Sequence, residues 1–563
     1  MTLSLRKEQK MKTAITIVIM LAMWSFPLYV AANELPPPIP SQEQPEVLTR
    51  GPVHEAFAEP VNLQVQAGLV APKPPPANIA EVAPAQRPAG EQFVLVPGYW
   101  SWDADRNDYI WVSACWRAAP PNMSWVPGYW SQTTGGWEWV AGFWTPAGIR
   151  DIEYLPAPPV LEDVQPLGPP PSEEQIWVPS CQYWYQDHYV RRTGYWLIAQ
   201  PGWVWVPSHY IWTPRGYVFS PGHWDYSLER RGVLFAPVYF PRSVYVRAGF
   251  FFSPSIVIDI GILRLNLFTC PRYSHYYFGD YYDDVYLRIG IFPRFESERS
   301  HIWYDPIYVY DRWHNRRTEP RWEEHERHEY DIRRADRNLR PPRTYREMQT
   351  RQASMPEPQR GSIRMARPMT EVVASKTTMK FEHIDTKKQK KITAQATEVS
   401  RFRDQRNRLE SPAISPKATQ PITERKGTVT SPAENKQPLQ PVKEQRKGTV
   451  TPPTERKEPV APVKEQRKGT VTPPTERKEP VAPVKEQRKD KVTPSEEQSP
   501  VFVSPRDVRA TKSEKVKISK PPIVGKQVSD KKEVGPPPDP AQERQQKGDN
   551  KEKDKGRDKN KAK

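Results

Sequence analysis

The stretch that decides the fold is Trp125-Val126-Pro127-Gly128-Tyr129-Trp130, which has two near copies, Val96-Pro97-Gly98-Tyr99-Trp100 and Trp139-Val140-Ala141-Gly142-Phe143-Trp144. On a β-strand, side chains alternate between the two faces, so each glycine leaves bare backbone between larger side chains. A tryptophan of the neighbouring strand can cover that backbone. Proline cannot donate to a ladder, which places the motif at a strand edge or bulge. The motif therefore predicts short, twisted, antiparallel strands.

Runs of aromatic and β-branched residues recur after Phe93, and each run ends at a tryptophan. The runs of a first unit, residues 93–150, end at Trp100, Trp116, Trp130 and Trp144, and those of a second unit, residues 176–225, end at Trp184, Trp196, Trp212 and Trp224. A run and the polar break after it correspond to one strand and its hairpin connection. Each unit is predicted to be a four-stranded meander, with a Pro-rich linker over residues 151–175 between them. The motif residues are Gly98, Trp100, Gly128, Trp130, Gly142, Trp144, Gly194, Trp196, Gly222 and Trp224.

This recurrent V-P-G-Y-W and W-x-W-V-x-G-x-W pattern resembles the YXWGXW (WXXGXW) repeat of exported bacterial proteins, especially planctomycete-type sequences. The resemblance covers about Phe93 to Trp224 and is carried by several tandem copies of the motif. The second unit departs from the pattern, because Ser208-His209 and Pro221-Gly222-His223 occupy places where Gly-Tyr is expected. The family implies no activity, cofactor or catalytic residue.

Composition predicts the organisation of the remaining chain. The 66 prolines and a mean hydropathy of −0.77 exclude tight packing throughout the 563 residues, whereas 16 of the 20 tryptophans lie between Trp100 and Trp224. The predicted fold class is mainly β, with Trp-rich antiparallel meander repeats followed by a short charged helix and a long disordered tail. The other predicted segments are a Pro-rich disordered spacer (33–92), a further β region (226–295), a charged helical segment (296–350) and a disordered basic Pro/Lys/Glu tail with 21-residue repeats (351–563).

The N-terminus has the pattern of a secretory signal peptide over residues 1–32. Basic residues precede an apolar run, residues 14–30, and Val30-Ala31-Ala32 offers small residues for cleavage. This pattern predicts export to the periplasm, the cell surface or the exterior. An uncleaved membrane anchor at residues 14–30 is the alternative.

Three cysteines are an odd number for an exported chain. Cys115 and Cys181 both end a W-V-x-x-C sequence, which suggests equivalent places in the two units. A disulfide between Cys115 and Cys181 is therefore predicted, with Cys270 left as a free buried thiol. Three unpaired thiols remain the alternative, because pairing cannot be read from sequence alone.

Most of the positive charge lies in the tail. Residues 411–563 hold 36 Lys and Arg against 22 Asp and Glu, which is +14 of the net +17. Lysine and glutamate interleave there, which favours weak attraction to an anionic envelope polymer or membrane surface over specific nucleic-acid binding.

Two sets of residues have partial metal-site patterns. Asp103 to Asp108 begins as D-x-D-x-N, the start of a calcium loop, but lacks the glycine at position six and the glutamate at position twelve. A polar hairpin turn is the preferred interpretation. His325 and His328 stand three residues apart on the expected charged helix, near Glu324 and Glu329, with no third ligand apparent. A solvated helix face is preferred there.

Asp280, Asp283 and Asp284 could supply an acid pair for glycoside hydrolysis, although nothing fixes their separation and a turn is preferred. The sequence contains no G-x-S-x-G, P-loop or dinucleotide motif. The leading hypothesis is therefore a non-catalytic exported structural or interaction protein of the cell envelope, without a cofactor. A module that binds a carbohydrate or peptide with exposed Trp and Tyr is the alternative, and a hydrolase on a β framework is third.

Overall fold

The computed structural model describes residues 44–64, 68–161, 165–166, 168–298, 302–375, 377–411, 512–519, 521 and 523–524. Of these residues, 35% lie in strands and 28% in helices. The prediction of a mainly β, aromatic-rich, antiparallel fold is confirmed. The predicted signal peptide and most of the predicted tail, including its 21-residue repeats, lie outside the described residues.

The two repeat units contain four long β-hairpins. The first hairpin comprises β7 (Phe93–Val96), β8 (Tyr99–Asp103), β9 (Asp108–Val112) and β10 (Cys115–Ala118), and the second comprises β11 (Met123–Val126), β12 (Tyr129–Thr133), β13 (Gly136–Val140) and β14 (Phe143–Pro146). The third comprises β16 (Gln175–Val178), β17 (Cys181–Tyr185), β18 (His188–Arg192) and β19 (Tyr195–Ile198), and the fourth comprises β20 (Trp203–Val206), β21 (His209–Thr213), β22 (Gly216–Ser220) and β23 (His223–Tyr226). In each hairpin the outer two strands pair with each other and the inner two pair with each other.

The pairing register runs unchanged through each hairpin. Val96 pairs with Cys115, and three residues further along Tyr99 pairs with Val112. Two residues on each strand separate the inner pair from the outer pair. The connectivity differs from the predicted meanders, because among the described strands no ladder joins the first hairpin to the second or the third to the fourth. Between the first two hairpins, the strand Cys115–Ala118 already pairs on its other edge with residues 232–234, and the strand Met123–Val126 pairs on its other edge with residues 523–524, so neither has an edge left for the other.

The motif glycines are covered as expected by tryptophans of the paired strand. Gly98, Gly128, Gly142, Gly194 and Gly222 lie under the rings of Trp111, Trp139, Trp125, Trp177 and Trp205, respectively. The covering tryptophan also stands directly opposite the motif tryptophan two residues beyond the glycine, as Trp139 does opposite Trp130. The ring centroids of these five pairs lie 5.1 to 5.4 Å apart and meet edge to face or tilted. The glycine is therefore the space that the partner indole occupies.

Four of the remaining described strands, at residues 70–71, 232–234, 238–239 and 523–524, pair with hairpin strands, and the others pair among themselves. The remaining strands are β1 (Glu46–Val47), β2 (Gly51–Pro52), β3 (Val61–Asn62), β4 (Val70–Ala71), β5 (Ala80–Glu81), β6 (Gln86–Pro88), β15 (Asp151–Tyr154), β24 (Gly232–Leu234), β25 (Val238–Tyr239), β26 (Phe251–Phe252), β27 (Ile256–Ile258), β28 (Leu267–Cys270), β29 (His275–Phe278), β30 (Phe292–Pro293), β31 (Trp303–Tyr304), β32 (Ala366–Pro368), β33 (Phe381–His383), β34 (Glu514–Lys517) and β35 (Ile523–Val524). Except for β5 with β26, all the described strand pairs are antiparallel.

Nine α-helices lie in the described residues. They are α1 (Arg242–Tyr245), α2 (Ile260–Leu265), α3 (Asp284–Arg288), α4 (Pro306–Arg316), α5 (Trp322–Ala335), α6 (Tyr345–Ser354), α7 (Glu357–Arg360), α8 (Met369–Ala374) and α9 (Thr386–Glu410). The segment predicted as one charged helix therefore holds three, α4 to α6. The further β region also contains the short helices α1 to α3, because local turns override its β-rich composition.

The predicted disordered spacer is wrong wherever residues 33–92 are described. Residues 44–64 and 68–92 contain six short strands. Val53 and Phe57, which lie between two of these strands, are buried in the main core. The linker is also partly wrong, because its first residues form β15, which pairs with β34. Short strands that pair only with distant segments leave no periodicity for a sequence pattern to reveal.

The predicted disordered tail is wrong for residues 351–411 and 514–517. Residues 386–410 form the longest described helix, and β34 completes a ladder on β15. Charged residues dominate α9, so its composition suggested a solvated segment. Its buried side chains include Phe402 and Arg406, which pack into the β part.

The predicted Cys115–Cys181 disulfide is also wrong. Cys115, Cys181 and Cys270 are all free and buried, as the alternative allowed. The two W-V-x-x-C sequences share only that each cysteine is the first residue after a break in its ladder. Cys115 lies in the outer strand pair of the first hairpin, whereas Cys181 lies in the inner strand pair of the third.

None of the 16 repeat tryptophans is exposed. Eleven are buried, and five are half-buried: Trp137, Trp177, Trp184, Trp196 and Trp212. Packing is therefore the principal role of these rings.

We expect Gly142→Ala to lower the free energy of unfolding by about 2 kcal/mol or more, as overpacked sites do. A Cβ at residue 142 would lie 2.8 Å both from Cη2 of Trp125 and from Oε1 of Glu55. Gly361→Ala is the matched control, because the new methyl group meets nothing within 4 Å. Denaturant unfolding of both variants checks the prediction, and equal stabilities would contradict it.

Candidate functional site

Each hairpin contains what we call a ladder gap, the two residues on each strand that separate its outer and inner pairs. In the second hairpin the ladder gap consists of Pro127-Gly128 and Ala141-Gly142. In the first hairpin it consists of Pro97-Gly98 and Ser113-Ala114. Backbone groups that the ladder does not pair at these buried places require other hydrogen-bond partners.

One carboxylate and one guanidinium fill the ladder gap of the second hairpin. The backbone N–H groups of Gly128 and Gly142 donate to Oε1 and Oε2 of Glu55 over 3.0 and 3.1 Å. The side chain of Arg406 donates to the carbonyl oxygens of Pro127 and Ala141 over 3.0 and 2.8 Å. Four backbone groups from two strands are thus satisfied by two side chains.

The first hairpin repeats this arrangement with different residues. The N–H groups of Gly98 and Ala114 donate to the two oxygens of Glu81 over 2.7 and 3.0 Å. Arg403 donates to the carbonyl oxygen of Gly98 over 3.1 Å. His54 Nε2 lies 3.1 Å from the carbonyl oxygen of Pro97.

The same carboxylates also bind the tryptophans that cover the glycines. The indole N–H of Trp111 donates to Glu81 over 2.8 Å, and that of Trp139 donates to Glu55 over 3.3 Å. The two hairpins therefore use one design, in which glycine, covering indole and carboxylate form a single unit. Neither carboxylate belongs to the repeats, since both come from residues predicted to be a spacer.

The guanidinium of Arg406 is itself held by a buried acid. Its Nε donates to Glu410 over 2.8 Å, and Glu410 also accepts hydrogen bonds from the hydroxyls of Tyr129 and Tyr154 over 2.7 and 2.9 Å. Arg406 and Glu410 are each 1% exposed. A buried ion pair of this kind is costly to break, because removing one partner leaves the other charge unpaired.

Burial sets the electrostatics of the ladder gaps. It raises the pKa of Glu55 and Glu81, while the hydrogen bonds from the backbone N–H groups act in the opposite direction. Burial also lowers the pKa of His54 to about 3 and that of His275 to about 4. His275 lies 2.6 Å from the hydroxyl of Tyr99 and belongs to the same polar interior.

In the fourth hairpin, a side chain of the hairpin itself accepts the hydrogen bond of a ladder-gap N–H group. The N–H of Gly222 donates to the hydroxyl oxygen of Ser208 over 2.8 Å. Ser208 stands in the place that Gly128 has in the second hairpin, so the departure from the motif supplies the missing acceptor.

Most of the sequence-based metal and acid candidates make hydrogen bonds or ion pairs with other residues of the fold. Asp105 lies in the β8–β9 turn, accepts a hydrogen bond from Tyr286 over 2.6 Å and pairs with Arg50 at 2.8 Å. His325 is exposed on α5 with its Nδ1 3.0 Å from Glu319. No cluster of three His, Cys, Asp or Glu side chains suited to a metal lies within the described residues.

The acidic trio is bound by arginines of later segments. Asp280 accepts from Nε of Arg343 over 2.7 Å, and Asp283 accepts from Arg340 over 2.8 Å. Asp284 pairs with Arg334 at 2.6 Å. These carboxylates link the first residue of α3 and the segment before it to α5 and its C-terminal connection.

A second feature is an aromatic cleft of about 460 Å³ between the third hairpin and α4. Its aromatic lining includes Trp177, Trp196, Trp303, Tyr304 and Trp313. Its volume falls within the range of small-ligand sites. Sequence patterns could not identify it, because its walls come from segments more than a hundred residues apart.

Comparison of the chain with protein-family models, with curated proteins and with solved structures returns no match. The resemblance to the YXWGXW repeat proteins stays a prediction from the motifs. Among the described residues, no helix combines the length and apolar character needed to cross a membrane.

We expect Arg406→Met to lower the free energy of unfolding by about 3 kcal/mol, because two carbonyl groups lose a donor and Glu410 loses its ion partner. Arg360→Met is the matched control, since Arg360 is exposed, its ion partner Glu357 is exposed, and the hydrogen bond from its Nε to the carbonyl oxygen of Met355 is exposed as well. The cost of this control should stay within about 0.5 kcal/mol. Denaturant unfolding measures both. Similar small losses in the two variants would show that the ladder gap does not need the guanidinium.

The stabilising effect of His54 should depend on pH. Burial lowers the pKa of His54 in the fold to about 3, below its ordinary value of 6.5. The unfolded chain therefore binds the proton first, and stability is lost as the pH falls below 6.5. Stability curves of wild type and His54→Gln from pH 7.5 to 4.5 should therefore converge on acidification, by about 1.4 kcal/mol per pH unit below pH 6. A constant difference across this range would contradict the prediction.

Proposed function

We propose that this chain is a non-catalytic exported structural or interaction protein of the cell envelope. The observation that carries the proposal is that the ionisable side chains buried against the repeats, which come from their flanking segments, bind the chain's own backbone. Backbone groups of the ladder gaps are bound by four side chains, those of Glu55, Glu81, Arg403 and Arg406. These side chains therefore hold strands together. The repeat tryptophans likewise pack in or against the core.

The basic tail supplies the attachment in this proposal. Its surplus of lysine and arginine attracts an anionic envelope polymer or membrane surface. The folded β part then serves as the body that the tail holds at that surface. In this proposal the N-terminal signal sequence directs the export of the folded β part together with the tail.

A pull-down of the full chain on anionic vesicles tests the attachment. We expect binding at low salt that is lost at about 0.5 M NaCl, since screening shortens the range of charge interactions. A variant with the lysines and arginines of residues 412–511 changed to glutamine should bind weakly, and neutral vesicles provide the control. Salt-insensitive binding would contradict the electrostatic attachment, and turnover of a pool of glycosides or peptides would contradict the non-catalytic role.

The second candidate is a module that binds a carbohydrate or peptide, and one observation favours it. Four of the five cross-strand tryptophan pairs are buried, whereas Trp177 and Trp196 are half-buried and line the aromatic cleft. Partly exposed rings that line a cleft present an apolar surface against which a ligand can stack. Binding therefore belongs to the third hairpin in this proposal.

A further inference from the structure

The aromatic cleft has a buried aromatic floor and an exposed polar rim. Trp303 and Tyr304 line the cleft and are buried. The hydroxyl of Tyr304 donates to the carbonyl oxygen of Trp177 over 3.0 Å, which ties the floor to the third hairpin. Glu173 and Arg317 also line the cleft and are exposed, so they belong to its rim. A ligand in this cleft therefore meets apolar rings inside and polar groups at the edge.

The tryptophan pair of the third hairpin differs from the pairs of the other hairpins. Trp177 and Trp196 form a cross-strand pair like the other four, with ring centroids 5.3 Å apart. In those other pairs every indole is at most 7% exposed, as Trp130 and Trp224 illustrate. Only in the third hairpin do both members of the pair remain half-buried, and there they line a cleft.

Both signs of charge occur in the walls of the cleft. The charged residues that line it are, within the described part of the chain, Glu173, Asp305, Arg312, Arg316 and Arg317. Arg312 and Arg316 already pair with the carboxylate of Glu323. A ligand with a net charge of either sign would meet like charges in these walls, which costs free energy. The cleft therefore favours a ligand without net charge.

The two charged groups of the rim have complementary hydrogen-bonding roles. An ionised carboxylate such as that of Glu173 only accepts hydrogen bonds, and a guanidinium such as that of Arg317 only donates them. Neither group has an ion partner among the described residues, and the guanidinium of Arg317 lies 5.8 Å from the ring centroid of Trp313. A ligand that contacts both needs donors and acceptors together, and a hydroxyl group is both.

We propose that the aromatic cleft binds an uncharged oligosaccharide with apolar ring faces, as in a chain of β-1,4-linked glucose units. The C–H face of a sugar ring stacks on Trp196 or Trp177. Hydroxyl groups at the edge of the sugar donate to Glu173 and accept from Arg317. This inference rests on the binding-module candidate above and names its ligand class.

Hydrogen-bonding capacity distinguishes this ligand from a Pro-rich peptide, which also stacks on aromatic side chains. Each proline offers a carbonyl acceptor but has no N–H donor. A run of prolines would therefore cover Glu173 without giving it a hydrogen bond, and it would leave a buried acceptor unsatisfied. A sugar satisfies the rings, the carboxylate and the guanidinium together.

Calorimetric titration of the full chain with the β-1,4-linked pentasaccharides of glucose, xylose and N-acetylglucosamine tests the proposal. We expect saturable binding of at least one of these neutral probes. Its affinity should change less than about twofold between about 0.05 and about 0.5 M NaCl, because an uncharged ligand offers no charge to screen. The β-1,4-linked pentasaccharide of glucuronate is the matched charged probe. At about 0.5 M NaCl, where attraction to the basic tail is screened, it should bind at least about threefold more weakly than the neutral probe.

Variants of the cleft locate the binding. Trp196→Ala should weaken binding of the neutral probe about tenfold, because it removes a stacking surface. Glu173→Ala and Arg317→Ala should each weaken it about threefold, because each removes one hydrogen-bond partner at the rim.

Two control variants separate local from general effects. Glu174 is the exposed neighbour of Glu173 but does not line the cleft, and Trp184 is half-buried in the third hairpin but does not line it either. Glu174→Ala and Trp184→Ala should therefore bind like wild type. Circular dichroism of every variant confirms that it is folded before titration.

The outcomes that would overturn the inference are distinguishable. Saturable binding of none of the neutral probes, or tighter binding of the glucuronate at about 0.5 M NaCl, would exclude an uncharged saccharide as the ligand. Binding that resists Trp196→Ala but disappears in the neutralised 412–511 variant would assign the sugar to the tail. Binding of a polyproline peptide that is lost in Trp196→Ala, without binding of any sugar, would keep the binding-module candidate and replace the saccharide by a peptide.

Discussion

The constraint on which the fold depends is the need to satisfy backbone groups where the hairpin ladders are interrupted. The ladder gap creates unpaired N–H and C=O groups in the most aromatic part of the protein, where leaving one unsatisfied costs about 1–3 kcal/mol. Glu55 and Arg406 meet this need in the second hairpin, and Glu81 and Arg403 meet much of it in the first. The tryptophan pairs supply apolar packing around these groups, so polar and aromatic interactions are parts of one arrangement.

This arrangement explains why segments far apart in sequence belong to one body. The acids come from residues before the hairpins, and the arginines come from a helix that lies 265 to 305 residues after the ladder-gap residues to which they donate. The interruptions of the first two hairpins are thereby closed from both sides. The first repeat unit, which looks self-contained in the sequence, consequently depends on both of its flanks.

Much of the β architecture could be predicted from the sequence, because it follows from local patterns. Alternation and turn residues indicated antiparallel hairpins, and the glycine of each motif correctly indicated an indole from the partner strand. The prediction of a four-stranded meander in each unit was wrong, because the spacing of the runs indicates which strands could pair but does not require every two consecutive strands to form a ladder. The long-range partners of the ladder gaps could not be predicted, since a lone glutamate in a Pro-rich stretch and two arginines in a charged helix have no periodic signal. The role of Glu55 as a hydrogen-bond acceptor for ladder-gap N–H groups could not be recognised either, because the Pro-rich sequence around it was interpreted as disordered. The aromatic cleft could not be predicted because it is formed by tertiary packing of segments distant in sequence.

The position of Arg403 and Arg406 near the end of α9 has a consequence for the order of assembly. A chain is made from its N-terminus, so Glu55 and Glu81 are present before the hairpins they bind, while the two arginines arrive only after all four hairpins have been synthesised. Until then the carbonyl groups of the second ladder gap have only water as a partner, and the carboxylates lack their compensating charges. A nascent chain that ends before Arg403 can therefore form the paired strands of the hairpins, but it lacks the guanidinium groups that complete the hydrogen bonding of the first two ladder gaps.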